Sequence, residues 1–263
     1  MSFIYQLLQI PPLILLIIIV LIFSGISFLI TYCFRKYVKI SPKQKHNEAV
    51  SYIFAIIGGF YALLLGFVVF MVWGSSDNAQ IDTSYEGSSA IAFYRDINYF
   101  PSKTEILPIK TAYMKYVHTV IEHDFPAMEK MEPLDKNSRT ALNKVFLLVG
   151  KLGMKNAYSA QILNQLNELS MRRSLRQVNN SSSIPFEIWI PLLLGGIIVM
   201  IFALLLDVES LRIHLLINTL LGAFIGLVIF IIVQLDHPFT GDMKIEPNEY
   251  KTILMMDKET NNI

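Results

Sequence analysis

Four stretches of the chain hold no Asp, Glu, Lys or Arg: residues 1–34, 49–76, 188–206 and 213–235. Its 22 basic and 21 acidic side chains are confined to the segments between and after them. A water-soluble domain spreads charge over the surface of nearly every element, so this sorting points to a different solvent. A helix crossing the ~30 Å hydrocarbon layer needs roughly 20 apolar residues, because each adds about 1.5 Å and lipid cannot satisfy an exposed backbone amide. Four segments reach that length: Pro12 to Phe34, Val50 to Trp73, Phe186 to Leu206 and Ile213 to Leu235. The sequence predicts an all-α integral membrane protein with four transmembrane helices.

The first span differs from a cleaved leader, which carries its positive charge before the apolar core. No Lys or Arg precedes Ile10, whereas Arg35, Lys36, Lys39, Lys43 and Lys45 follow the span. Loops rich in Lys and Arg stay in the cytoplasm, so residues 35–48 are expected inside. Four crossings then put both termini, and the long segment between the second and third spans, outside the cytoplasm of a bacterial inner membrane. Arg172, Arg173 and Arg176 oppose this, since they lie close enough to the third span to count in the same rule. The expected layout is a first membrane pair over 1–73, a helical water-facing domain over 74–184, a second pair over 185–235 and a C-terminal tail over 236–263.

In the 74–184 segment, Ile106, Ile109, Tyr113, Tyr116, Val117 and Val120 recur at three- and four-residue steps. Leu142, Val145, Phe146, Val149 and Leu152 form a second such stripe, and Ile162, Leu166 and Leu169 a third. With breaks at Pro101, Pro126, Pro133, Gly150 and Gly153, helices are expected near 78–99, 103–124, 137–150 and 155–178. The first of these can continue the second span.

Reactive constellations are scarce. The sequence has no Gly-rich phosphate loop, no H-E-x-x-H, no C-x-x-C and no G-x-S-x-G, so no enzyme activity and no cofactor are expected. Glu122, His123 and Asp124 with His118, and Asp236 with His237, supply metal-ligand chemistry, but neighbours on a helix diverge by about 100° and cannot chelate as one face. A net charge of +1 offers nucleic acid no basic face. Cys33, the single cysteine, has no intramolecular partner. No span has a charge at mid-depth; His214 and Asn218 are the polar residues that stand out in the fourth.

The glycines carry more. Gly222 and Gly226 form a G-x-x-x-G pair, and Gly195 and Gly196 give the third span a smooth patch, both expected to let helices pack closely. In the second span, Gly59, Leu63, Gly66, Phe70 and Trp73 fall on one face. In a ring of subunits that face could form a hydrophobic constriction that gates by dewetting.

Three stretches together look familiar: Gly59 to Phe70 (GFYALLLGFVVF) followed by Trp73, Arg172 to Arg176 (RRSLR) before Pro185 and Trp189, and Leu235 to Gly241 (LDHPFTG). Tyr113 to Met128 adds the run EHDFPAM. On these the chain resembles the bestrophin-like domain family of membrane proteins. The resemblance implies a distant relation to bestrophins, which are oligomeric anion channels, and marks Gly59, Gly66, Phe67, Trp73 and the turn of Asp236, His237, Pro238, Phe239 and Gly241. The expected function is an anion-selective oligomeric channel whose pore is lined by the second span, with the bilayer, small inorganic ions and further copies of the chain as partners. The other reading is a membrane-anchored sensor or assembly protein whose outer helical domain binds a partner.

Overall fold

The computed structural model describes residues 3–38, 44–134, 136–153 and 157–261, and every regular element among them is helical. Four of the helices hold a stretch long and apolar enough to cross a membrane. Part of the basic 35–48 loop, including Lys39 and Lys43, lies outside the described residues.

The chain divides into two compact units, one made of Ile10–Ser75 and Ser183–Asp236, the other of Met1–Gln9, Ser76–Ser182 and His237–Ile263. The first is the membrane unit. Helix α2 (Pro12–Tyr37) starts with a proline at N1, which has no amide to leave unpaired, and ends with Arg35 and Lys36 in its last turn, where cations suit the carbonyl end. Helix α3 (Gln44–Asn98) supplies the second span with its N-terminal half, α8 (Phe186–Leu204) the third and α9 (Leu211–Leu235) the fourth. Helix α9 opens on Ser210, whose hydroxyl accepts from the Ile213 amide at 3.5 Å.

The second unit is the extramembrane domain. It holds α1 (Phe3–Leu8), the C-terminal half of α3, α4 (Lys103–Thr119), α5 (Phe125–Glu129), α6 (Lys136–Leu152), α7 (Ala157–Ser181) and α10 (Asn248–Asn261). The apolar stripes expected from spacing are its core: Ile106, Ile109, Tyr113, Tyr116, Val117 and Val120 are buried with Leu142, Val145, Val149, Ile162, Leu166 and Leu169. Helix α3 adds Ala90, Phe93, Tyr94 and Ile97 and stops before Pro101, whose ring disfavours helix in the residue before it.

Three expectations change. The helix expected over 103–124 ends at Thr119, and Val120–Asp124 form a π turn in which the Phe125 amide bonds the Val120 carbonyl. Pro126 follows and has no amide to return to Glu122, which makes the wider turn less costly. The segment assigned to a tail after Gly241 carries α10, with Tyr250 and Ile253 in the extramembrane core. Helix α10 sits so close to α3 that a side chain at Gly87 would run into Glu249. Residues before Ile10, grouped with the first membrane pair by sequence, belong to this unit as well, with Leu8 buried.

Candidate functional site

Within the membrane unit, α3 has two unlike faces. Tyr61, Leu65, Val68 and Val72 are buried in one cluster with Leu192 and Val199 of α8 and Ile225, Ile229 and Ile232 of α9. Gly59, Leu63, Gly66, Phe70 and Trp73 lie on the other face and are exposed, Phe70 at 74% and Trp73 at 64%. A Cβ added at Gly59 or Gly66 would meet nothing within 4 Å. No other part of the described chain covers this face, which has small groups at mid-span, aromatic bulk toward Trp73 and no charge.

The glycines of α8 and α9 lie at contacts inside the unit. A Cβ on Gly222 would stand 2.6 Å from the Phe23 carbonyl oxygen and 2.7 Å from Ser27 Cβ, and one on Gly226 would stand 3.2 Å from the Ile19 carbonyl oxygen. The pair is a notch for the backbone of α2. On α8, Gly195 and Gly196 make room for the Tyr61 ring, whose hydroxyl donates to the Leu192 carbonyl at 3.1 Å. Near the notch, Ser27 Oγ donates to the Asn218 carbonyl at 2.6 Å and Thr31 Oγ1 to the Ser27 carbonyl at 2.7 Å. His214 Nε2 lies 3.1 Å from the Ala203 carbonyl, so both polar residues noticed in the fourth span face the bundle interior.

The LDHPFTG stretch is a turn. Asp236 caps α9, and its Oδ1 accepts from the Ile184 amide at 2.7 Å. From His237 onward the chain belongs to the extramembrane unit, where the Thr240 amide donates to the His237 carbonyl and the Ile245 amide to the Pro238 carbonyl. Phe239 is buried edge-on to Phe125, with centroids 6.4 Å apart. Gly241 has φ +86°, and a Cβ there would stand 2.7 Å from the Leu8 carbonyl oxygen, so both conformation and space require glycine.

The densest polar chemistry is in the extramembrane core. Arg176 of α7 is fully buried; its Nε donates to Glu86 Oε2 at 2.5 Å, and Nη2 donates to Glu86 Oε1 at 3.2 Å and Asp124 Oδ2 at 3.3 Å. The guanidinium lies 4.9 Å from the Phe125 ring centroid, and Nη1 is 2.9 Å from Met128 Sδ. Tyr250 of α10 donates to Glu86 Oε1 at 2.7 Å, with its hydroxyl 3.3 Å from that of Tyr116. Arg173 Nη2 donates to Ser138 Oγ at 2.8 Å, bringing in α6. Two cations thus face two carboxylates with water excluded. Burial lowers the Arg176 pKa, but Glu86 more than offsets this and holds it above its usual value. Burial first, then the Glu86 charge, pushes the Tyr116 and Tyr250 hydroxyls well up, so they stay protonated donors. The network braces α3, the π turn, α7 and α10.

The acid and histidine residues considered for a metal do not converge. Asp124 turns inward to the arginines, while His118 Nδ1 lies on the exposed side 3.4 Å from Glu122 Oε1. Among the described residues no three His, Cys, Asp or Glu side chains gather to hold an ion.

The profile of the Bestrophin-like domain family matches residues 21–250. The chain belongs to the Bestrophin-like domain family. Comparison with curated proteins gives no match. Solved structures share the fold: a bacterial bestrophin homologue from Klebsiella pneumoniae phased with zinc has a TM-score of 0.66 at 15% identity, covering 90% of this chain and 94% of its own. A point variant of a Klebsiella pneumoniae bestrophin homologue gives 0.65 at 16% identity over the same shares. A crystal structure of a membrane protein variant gives 0.67 at 14% identity, covering 94% of this chain and 97% of the other.

In this Bestrophin-like chain, sequence reasoning passed over Glu86, Tyr116 as a polar group, and Tyr250. Only the RRSLR stretch and Asp124 in EHDFPAM pointed toward them. Glu86 and Arg176 lie 90 residues apart and Glu86 and Tyr250 164 apart, so no local spacing marks the network.

Proposed function

We propose that this Bestrophin-like protein is the subunit of an oligomeric, anion-selective channel whose pore is lined by the Gly59, Leu63, Gly66, Phe70 and Trp73 face of α3. The observation that carries this reading is the bare face itself: the same helix buries Tyr61, Leu65, Val68 and Val72 yet leaves the opposite, uncharged side to be covered from outside the chain. The relation to bestrophin homologues supports an assembly of copies around an axis. A ring of Phe70 or Leu63 side chains would then be a narrow apolar collar, the geometry that closes a pore by dewetting.

Purified protein in liposomes should pass chloride down a gradient, with little potassium movement, and Phe70→Ala should raise that flux severalfold. Vesicles that stay sealed in every condition, with a stoichiometric protein bound to the extramembrane unit, would favour a membrane-anchored sensor or assembly protein.

The basic run after α2 supports placing residues 35–48 in the cytoplasm of a bacterial inner membrane and both termini outside it. In a Cys33→Ser background, a single cysteine at Asp242 should react with an impermeant maleimide in intact cells and one at Asn47 should not. The opposite pattern reverses the orientation.

A further inference from the structure

The membrane unit contains a cleft of about 440 Å³ between α2, α8 and α9. Its walls are hydrocarbon, with Phe23, Ile26, Ile30, Ile197, Met200 and Leu204 among them. Tyr61 is the one lining residue with a polar side-chain group, and its hydroxyl donates to the Leu192 carbonyl at 3.1 Å. Ordered water needs two to four polar partners, more than one hydroxyl oxygen supplies, so the occupant is apolar. Along α2 the cleft and its lip run from Phe23 to Arg35, roughly 18 Å at 1.5 Å per residue, which is close to one leaflet of a ~30 Å hydrocarbon layer.

The end of the cleft is charged. Leu204 also lines a small recess of about 20 Å³ formed with Phe34, Arg35, Val38 and Asp207. Arg35 Nη2 donates to the Val208 carbonyl at 3.0 Å and to the Glu209 carbonyl at 3.5 Å, and Nη1 stays 3.9 Å from Asp207 Oδ1, a loose pairing at a partly exposed position. Lys36 follows on the exposed last turn and Arg212 opens α9, against the acids Asp207 and Glu209. An arginine whose Nη2 is taken by two backbone carbonyls and whose Nη1 meets only a loose carboxylate keeps donors for a phosphate oxygen.

We propose that the cleft is a binding site for one anionic phospholipid per chain, with an acyl chain between α2, α8 and α9 and the headgroup phosphate at Arg35. The site is independent of the channel reading and lies wholly within the membrane unit.

The full-length protein in mild detergent, given equal amounts of phosphatidylglycerol and phosphatidylcholine, is analysed by native mass spectrometry. One phosphatidylglycerol per chain should be retained in preference to phosphatidylcholine. Arg35→Gln should reduce phosphatidylglycerol retention about fivefold, the effect of one basic side chain at a membrane surface, and leave phosphatidylcholine unchanged. Ile26→Trp and Ile197→Trp fill the cleft from exposed positions and should abolish retention, while the elution volume and melting temperature show that each variant is folded. Equal retention of both lipids, or retention untouched by both tryptophans, overturns the proposal. So does efficient cross-linking of Ile197→Cys to a second copy in the Cys33→Ser background, which would put a neighbouring helix in the cleft.

Discussion

Arg176→Met should cost about 3–5 kcal/mol of stability, because it removes one partner of a fully buried ion pair, strands Glu86 in the extramembrane core and leaves Asp124 only Arg173 at 3.8 Å. Methionine has nearly the length of the arginine stem and can still pack on Phe125 and Met128, so most of the loss comes from charge and not from a cavity. For a chain of this size the melting temperature should fall by roughly 10 °C or more, read by the intrinsic fluorescence of the full-length protein in detergent. Arg176→Lys should fall between wild type and methionine, since an ammonium cannot bond both Glu86 oxygens and Asp124 from one plane. The double variant Arg176→Met with Glu86→Gln should be more stable than Arg176→Met alone, because it removes one stranded charge while keeping an acceptor for the Tyr250 hydroxyl. If Arg176→Met melts with wild type, the network is not what holds α3, α7 and α10 together.

How much of this was legible follows from the range of the interactions. Charge-free windows are local, and they reveal four spans because lipid excludes charge wherever it falls in the chain. The stripes at Ile106 to Val120 and Leu142 to Val149 are local too, and they became core as spaced. Helix α10 was hidden because its stripe is short, Tyr250 and Ile253 with the partly buried Leu254 and Met256, in a segment flanked by polar residues. The ion network was hidden for a stronger reason. A lone Glu86 or Arg176 reads as surface until a partner 90 residues away is brought to it. The lipid cleft belongs to no single segment, since α2, α8 and α9 each supply ordinary aliphatic side chains. Spacing shows that Gly222 and Gly226 admit a close neighbour, but only the fold identifies it as the backbone of α2.

That identification sets up a graded test. Gly222→Ala should destabilise the membrane unit by about 2–3 kcal/mol, because the added methyl meets the Phe23 carbonyl at 2.6 Å and Ser27 Cβ at 2.7 Å, and backbone cannot swing aside. Gly226→Ala, whose nearest contacts are at 3.1 to 3.2 Å, needs a shift of only tenths of an ångström and should cost about 1 kcal/mol. Forcing α2 from α9 also stretches the Ser27 bond to the Asn218 carbonyl. Reversible unfolding in mixed detergent micelles measures both, and a larger loss at Gly226 than at Gly222 would contradict this packing. Gly59→Ala and Gly66→Ala supply the contrast. Each methyl enters open space in a single chain, and alanine favours helix over glycine by about 1 kcal/mol, so the isolated subunit should be no less stable. Any loss of assembly or of chloride flux in those two variants must therefore arise from a neighbouring copy. A fall in flux with an unchanged subunit melting temperature would assign the bare face of α3 to the pore, whereas unchanged assembly and flux would take that face out of it.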